Sequence, residues 1–262
     1  MERETTMPDI RKTPSTIQSV ARAAAILKCF RGSAELGLAD ISRALGLHKS
    51  TAAGIIGTLK AEGFLEHNDR TGKLRLGLEL FTLAAGARSD IKVLCEPHLN
   101  ELLNVTGETV NLAVLDKTEV VYIDKKESEH SIRISTAIGT RLPAYCTAVG
   151  KSILAFMKPD KRDATLDNIT FEPRTALTIT DKDGFLAELA RVKTEGVAYD
   201  IEEFEENVIC VAAPLMYRQD NPIGAVSVSG PSMRMDEATR ARIAQTLRDA
   251  AAQICGELSK MS

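Results

Sequence analysis

Apolar positions recur every three to four residues through most of the first sixty-odd positions. In "TIQSVARAAAILKCF", Ile17, Val20, Ala24, Leu27 and Cys29/Phe30 fall on one stripe. That spacing predicts an amphipathic helix with Thr16 as its N-cap. "GLADISRALGL" predicts a short second helix ending near Gly46. "HKSTAAGIIGTLKAEGFLE" predicts a third, opened by the capping-type Ser50 and Thr51, carrying Ile55, Ile56, Leu59 and Phe64 on its apolar side and closed by Gly63. The period then drops to two in "FLEHN" and "KLRLG", which flank the turn formers "NDRTG". This is the pattern of a small β-hairpin. Three helices followed by a hairpin predict a winged helix-turn-helix.

"LGLELFTLAAGARSD" is apolar and alanine-rich before it turns polar, as expected of a connecting helix. Beyond Val93 helical and alternating segments follow one another. A helix is expected from about Leu94 to Val105, with strands at "TVNLAVL", "EVVYIDKK" and "SIRIST". Further on come a helix after Thr147, another at "GFLAELARVKTEG", strands "VICVAAPLMY" and "IGAVSVSG", and a terminal helix bearing Ile243, Leu247, Ile254 and Leu258. Tight turns such as "LDKTEV" join several strands, which points to an antiparallel sheet with helices on its faces. The organisation expected is a lead-in at 1–15, a winged helix-turn-helix at 16–76, a linker helix at 77–92 and an α+β sensor-type domain at 93–262.

Charge sharpens this division. Residues 1–76 carry 12 Lys+Arg against 8 Asp+Glu, and the rest of the chain carries 21 against 28. A basic front and an acidic rear imply a polyanionic partner for the first alone. In a helix-turn-helix the start of the second helix of the pair meets the major groove, which nominates His48, Lys49, Ser50 and Thr51 as double-stranded DNA contacts. The hairpin adds Arg70, Lys73 and Arg75, and the leading Arg11 and Lys12 suit an arm.

Other classes fit less well. No apolar run approaches the roughly 18 residues that cross a bilayer, and the first residues lack the apolar core of a secretory signal. A cytoplasmic protein without a membrane partner is therefore expected. Five cysteines without a C-x-x-C pair suit a reducing compartment, and the four histidines have no ligand spacing, so neither a metal nor a cofactor is expected.

The segment "CTAVGKSILAF" ends a nucleotide-binding pattern in Gly150-Lys151-Ser152. The pattern also needs a glycine five residues upstream, where Tyr145 blocks the tight turn, and Leu142-Pro143-Ala144 does not read as the strand that feeds such a loop. What remains is a small-residue turn opening a helix. Its unpaired N–H groups and the positive end of its dipole suit a carboxylate.

Taken in order, "IQSVARAAAILKCF", "LADISRALGLHKSTAAGIIGTLKAEGFLE", "TGKLRLGLELFTL", "IGTRLPAYCTAVGKSILAFM", "GVAYDIEEFEENVICVAAPLM" and "GAVSVSGP" resemble the signature blocks of IclR-type transcriptional regulators. The resemblance runs from about residue 17 to 258. It implies a winged-helix DNA-binding domain, a linker helix and an effector-binding domain of GAF-like fold, assembled as a homodimer or a dimer of dimers. It also implies that the backbone of Ala148 and Val149 holds the carboxylate of a small organic acid, that Leu142 forms an apolar wall, and that Asp200, Val208, Cys210, Ser227 and Ser229 complete the pocket.

Period-two spacing puts Ser227 with Ser229, and Val208 with Cys210, on common faces. The spacing equally suits solvent-facing serines, a merely buried Cys210 and a hydrated acidic loop around Asp200. As an acceptor for hydroxyl groups, Asp200 favours a hydroxy or sugar acid over a purely aromatic one. The sequence departs from the family pattern at Gly54, where an arginine is frequent, and at Tyr145, where histidine is usual and whose exchange makes the pocket rim less basic. A rival reading is a cysteine-based redox enzyme, or a redox-sensing regulator, using Cys146 and Cys210 with Lys151 as the nearby activating group.

Overall fold

A computed structural model describes residues 17–85, 89–218 and 221–260. Thr16, the lead-in at 1–15 and the arm residues Arg11 and Lys12 lie outside the described residues. The chain divides into two compact units, residues 1–89 and 90–262.

In the first unit, α1 (Gln18–Cys29), α2 (Leu38–Leu45) and α3 (Lys49–Ala61) pack around Ile26, Ile41, Ala52, Ile56 and Leu59. The N-cap of α1 is Ile17 rather than Thr16, and it offers no side-chain bond. Gly46 ends α2 in the left-handed region at φ 61°, where a side chain would be strained. The Leu47 N–H then donates to the Ser42 carbonyl (3.0 Å), and Ser42 Oγ donates to the Leu47 carbonyl (2.6 Å), which fixes the turn between α2 and α3. The cap of α3 is His48, so Ser50 and Thr51 lie inside its first turn and not at the cap. Strands β1 (Leu65–His67) and β2 (Leu74–Leu76) form the hairpin, and Leu36 bridges to Leu74 along its free side. Helix α4 (Leu78–Ala85) follows.

The second unit opens with α5 (Ser89–Thr106), longer than the helix expected from about Leu94. Strands β3 (Thr109–Asp116) and β4 (Glu119–Lys126) form a tight hairpin. After an irregular segment come β5 (Arg141–Pro143) and a single 3-10 turn, Ala144–Cys146, then α6 (Ala148–Phe156) and α7 (Pro159–Leu166). Next are α8 (Lys182–Glu195), β6 (Ala198–Ile201), β7 (Val208–Arg218), β8 (Asn221–Pro231) and α9 (Glu237–Lys260). The strands make one antiparallel sheet in the order β5-β4-β3-β8-β7-β6. The expected α+β class, a winged helix-turn-helix followed by an antiparallel-sheet domain, is the observed one.

Alternation along the strands builds two cores. Val211, Val226 and Val228 join Leu99 and Leu102 of α5 and Leu247 and Ile254 of α9 on one face. Ala212 and Ala225 join Ile153 and Leu154 of α6 and Phe185 and Leu189 of α8 on the other. Small residues on this second face let α6 lie close to the sheet.

Three further expectations, all in the second unit, need correction. The segment 131–136, "SIRIST", is not a strand; the Arg234 guanidinium donates to the Ile132 carbonyl (2.9 Å) and Thr109 Oγ1 to the Ile134 carbonyl (2.7 Å), so side chains take groups that a ladder would use. Residues 141–143 do form a short strand, β5, despite the reading that none precedes the turn at Tyr145. The acidic stretch after Tyr199 begins inside a further strand, β6. Among the described residues no helix is long and apolar enough to cross a membrane.

Candidate functional site

Thr147 caps α6 from an extended conformation (φ −120°, ψ 140°), its Oγ1 accepting from the Gly150 N–H at 3.3 Å. The Lys151 N–H makes the first helical bond, to the Thr147 carbonyl at 3.0 Å. Cap and helix therefore satisfy the third and fourth donors and leave those of Ala148 and Val149 without a partner among the described residues, with the positive end of the helix dipole behind them.

The helix starts this tightly because residue 150 has no side chain. A Cβ there would stand 2.1 Å from the Ala144 carbonyl oxygen and 2.4 Å from its Cα, both backbone atoms that cannot rotate away. Gly150 thus serves the packing of α6 on the 3-10 turn and not a phosphate loop. Gly150→Ala is expected to destabilise the second unit by about 1–3 kcal/mol through overpacking, read as an earlier denaturant midpoint.

Ala148 and Val149 line a small, partly open cavity of about 50 Å³. Leu142, Asp200, Val208, Cys210, Ser227 and Ser229 line it as well, so all eight residues proposed from the sequence meet at one place. Strand register explains how. Asp200 pairs with Cys210 and Cys210 with Ser229, giving a row across β6, β7 and β8. The lining also includes Tyr122, Ile134, Thr136, Thr147, Phe204 and Glu205, which sequence reasoning did not find. Only Thr147 carried a local signal, as a cap residue one position before a helix.

Polar atoms around this cavity are incompletely paired. Asn111, opposite Ser227 in register, donates through Nδ2 to Ser229 Oγ (3.3 Å), while its Oδ1 and the Ser227 Oγ are buried without a partner among the described residues. Such groups are costly unless a ligand or water takes them. Asp200 accepts through Oδ1 from the N–H groups of Glu203 (2.8 Å) and Phe204 (3.3 Å). Burial nonetheless pushes its carboxyl up to about 7. Burial also pushes the Cys146 thiol up to about 12 and raises that of Cys210.

Tyr145 does not line the cavity. Its hydroxyl donates to the Glu172 carbonyl (2.6 Å) and its ring packs edge-on against Phe171, 5.3 Å between centroids. The tyrosine acts on packing, then, and not on the polarity of the rim. A second, open cleft of about 500 Å³ runs along the free edge of β6, between Arg191 of α8 and Arg240 of α9.

In the first unit His48, Lys49 and Ser50 are exposed and Thr51 is half-buried at the start of α3. Around Gly54 and Gly57 nothing lies within 4 Å of where a Cβ would stand, so packing does not require the missing side chains. Arg70 and Lys73 are exposed at the hairpin tip. Arg75 is not at the tip: it lies within β2 and its Nε bonds Glu66 on the facing strand at 2.6 Å. The tip is held by Glu35, which accepts from Asn68 and from Thr71 (2.8 Å), and these bonds keep its carboxyl below the usual range.

Comparison with known proteins places these features together. Residues 19–69 match the family model of the IclR helix-turn-helix domain, and residues 84–256 that described as bacterial transcriptional regulator IclR C-terminal. The chain is 36% identical over 238 residues to the HTH-type transcriptional regulator XynR of Escherichia coli, covering 89% of this chain and 94% of that one. It is 31% identical to the regulator KdgR of the same organism, over 95% of this chain and 96% of that one. Among solved structures it is similar to an IclR homolog from Microbacterium hydrocarbonoxydans complexed with 4-hydroxybenzoate, with a TM-score of 0.82 and 25% identity over 93% of this chain and all of that one. The Thermotoga maritima IclR gives a TM-score of 0.74 and 29% identity, again over 93% of this chain and all of that one.

Proposed function

This chain belongs to the IclR family of DNA-binding transcriptional regulators with a C-terminal effector-binding domain, and from that premise we propose that a small organic acid seated over α6 controls its hold on operator DNA. The observation that carries this reading is the start of α6, where the Ala148 and Val149 N–H groups have no partner among the described residues and both residues line a cavity shared with Asp200 and with Ser227, whose hydroxyl also has none. A carboxylate takes the N–H pair, and a hydroxyl or carbonyl elsewhere on the acid meets Ser227, Ser229 and Asp200. A hydroxy or sugar acid supplies both ends. The 4-hydroxybenzoate in the Microbacterium protein is likewise a carboxylate bearing a hydroxyl.

A cavity of about 50 Å³ is too small for such a molecule as it stands, since a cavity that takes up a benzene measures about 150 Å³. Binding therefore requires the walls to part. Ile134 and Thr136 belong to the irregular segment that runs over the cavity, and a wall outside the sheet ladder is the one that yields. An acid that favours the opened arrangement shifts the population toward it.

On the DNA side Lys49, Ser50, Thr51 and His48 approach the groove, with Arg70, Lys73 and a partly engaged Arg75 along the backbone. Leu78, Phe81 and Leu83 of α4 are exposed apolar side chains, as are Ile17 and Val20 at the start of α1, and this reading buries them between two copies. Two or four copies then present paired helices to half-sites about 34 Å or a multiple apart. Such work is done in the cytoplasm. Thiol catalysis finds less support, because Cys146 is held protonated and the Lys151 ammonium is engaged by Glu188 and Glu203.

Thermal shift with D-gluconate, D-glycerate, L-lactate and 4-hydroxybenzoate tests the effector half. An acid at about 100 times its dissociation constant is expected to stabilise the fold by about 2.7 kcal/mol. Binding to the promoter region beside its own gene, measured against salt, tests the other half. A response to none of the acids, or DNA binding indifferent to salt, would count against the reading.

A further inference from the structure

The lysine of Gly150-Lys151-Ser152, which serves no phosphate loop, is wholly buried on α6. Its ammonium pairs with Glu203, in the turn after β6, and with Glu188 of α8 at 3.2 Å. A buried ion pair is a poor way to gain stability, because desolvation offsets the attraction and an apolar residue of similar volume packs as well. This one is also incompletely satisfied: Glu203 Oε2 is buried with no partner among the described residues. Its position suggests why it is kept.

An anion bound at Ala148 and Val149 would share the cavity with Asp200 and Glu205, and Glu203 stands beside Asp200 with its N–H on the Asp200 carboxyl. Glu203 and Glu205, joined by Asp200 once it ionises, repel an anion unless a positive charge offsets them. The groups facing Asp200 are Lys151 from α6, Glu203 and Glu205 from the turn after β6, Cys210 from β7, Tyr122 from β4 and Cys146 from the 3-10 turn. Burial holds the two thiols and the phenol neutral. Lys151 is the cation of the set.

We propose that Lys151 is a positioning residue for the effector: from behind the cavity wall it braces α6, the Asp200 turn and α8 to one ammonium and offsets the carboxyls that face the bound acid. The proposal rests on the effector reading above. It gives the lysine the work of balancing an anion without touching it. Through Glu203 and Glu188 it also ties the small cavity to the cleft along β6, which both carboxylates line.

The test uses the full-length protein with no acid added, so its failure is distinct from failure of the effector screen. The Asp200 carboxyl is titrated by ¹³C NMR in the wild type, Lys151→Met, Lys151→Arg and Glu203→Gln. Lys151→Met is expected to raise the Asp200 midpoint by about one pH unit or more, Lys151→Arg to leave it near wild type, and Glu203→Gln to lower it. A residue that only packs would not move the two midpoints in opposite directions. Identical midpoints in wild type and Lys151→Met, or shifts of one sign in both variants, would overturn the proposal. If Lys151→Met does not fold, Glu203→Gln decides: an unchanged midpoint sinks it.

Discussion

Asp200→Asn is expected to flatten the dependence of stability on pH and to leave the ligand-free protein more stable than wild type in mild alkali. The carboxyl is 3% exposed and burial raises it from 3.8 to about 7. Between those values the native state holds a proton that the unfolded chain has released, so rising pH favours unfolding. The contribution is fully present below 3.8 and is lost as pH passes through about 7. A shift of this size corresponds to a total on the order of 4 kcal/mol, about 3 of it between roughly pH 5 and 8. Asparagine keeps an Oδ1 acceptor for the N–H groups of Glu203 and Phe204 and carries no charge to bury. Urea denaturation of both proteins at several pH values measures the difference directly. Parallel curves would show that Asp200 does not hold its proton in the folded chain.

Binding follows the same sign. As Asp200 ionises above about 7, an anionic effector meets a new negative charge in the cavity, so wild-type affinity falls while that of Asp200→Asn does not.

The first unit was legible because each piece of it is specified locally. An apolar stripe marks each of α1, α2 and α3, Gly46 marks the turn between the last two, and "NDRTG" marks the hairpin. The long strands β3, β4, β7 and β8 were legible from alternation. Strands β5 and β6, three and four residues long, were not: so few positions give no clear period, and no turn signal like the "NDRTG" between β1 and β2 marks them. Helix α7 buries Leu166 alone and so shows no stripe to read.

The cavity divides in the same way. Period-two spacing puts Ser227 with Ser229, but it cannot say that Asp200 and Cys210 complete their row, since that depends on the strand order β8-β7-β6. Asn111 was invisible for this reason too. Lys151 looked like part of a phosphate motif because its partners are distant in the chain, Glu203 being 52 residues away. Ile134 and Thr136 were hidden by an alternation that promised a strand and delivered an irregular wall.

Replacing Lys49 and Lys73 together by glutamate is expected to lower operator affinity by roughly 100- to 1,000-fold and to reduce the slope of log affinity against log salt by about two. Both side chains are exposed, one at the start of α3 and the other at the hairpin tip. A phosphate that no lysine neutralises keeps its counterion, which sets the change in slope, and each added carboxylate repels the duplex, which enlarges the fall in affinity. Arg75→Ala should cost much less, because that guanidinium already bonds Glu66. Gly54→Arg should act in the opposite sense: open space surrounds the position, and an added arginine on the exposed side of α3 supplies the phosphate partner its relatives are expected to have. Fluorescence anisotropy over a salt series separates these outcomes. If the double variant kept the wild-type slope, α3 and the hairpin tip would not be the surface that meets DNA, whatever the fate of the effector cavity.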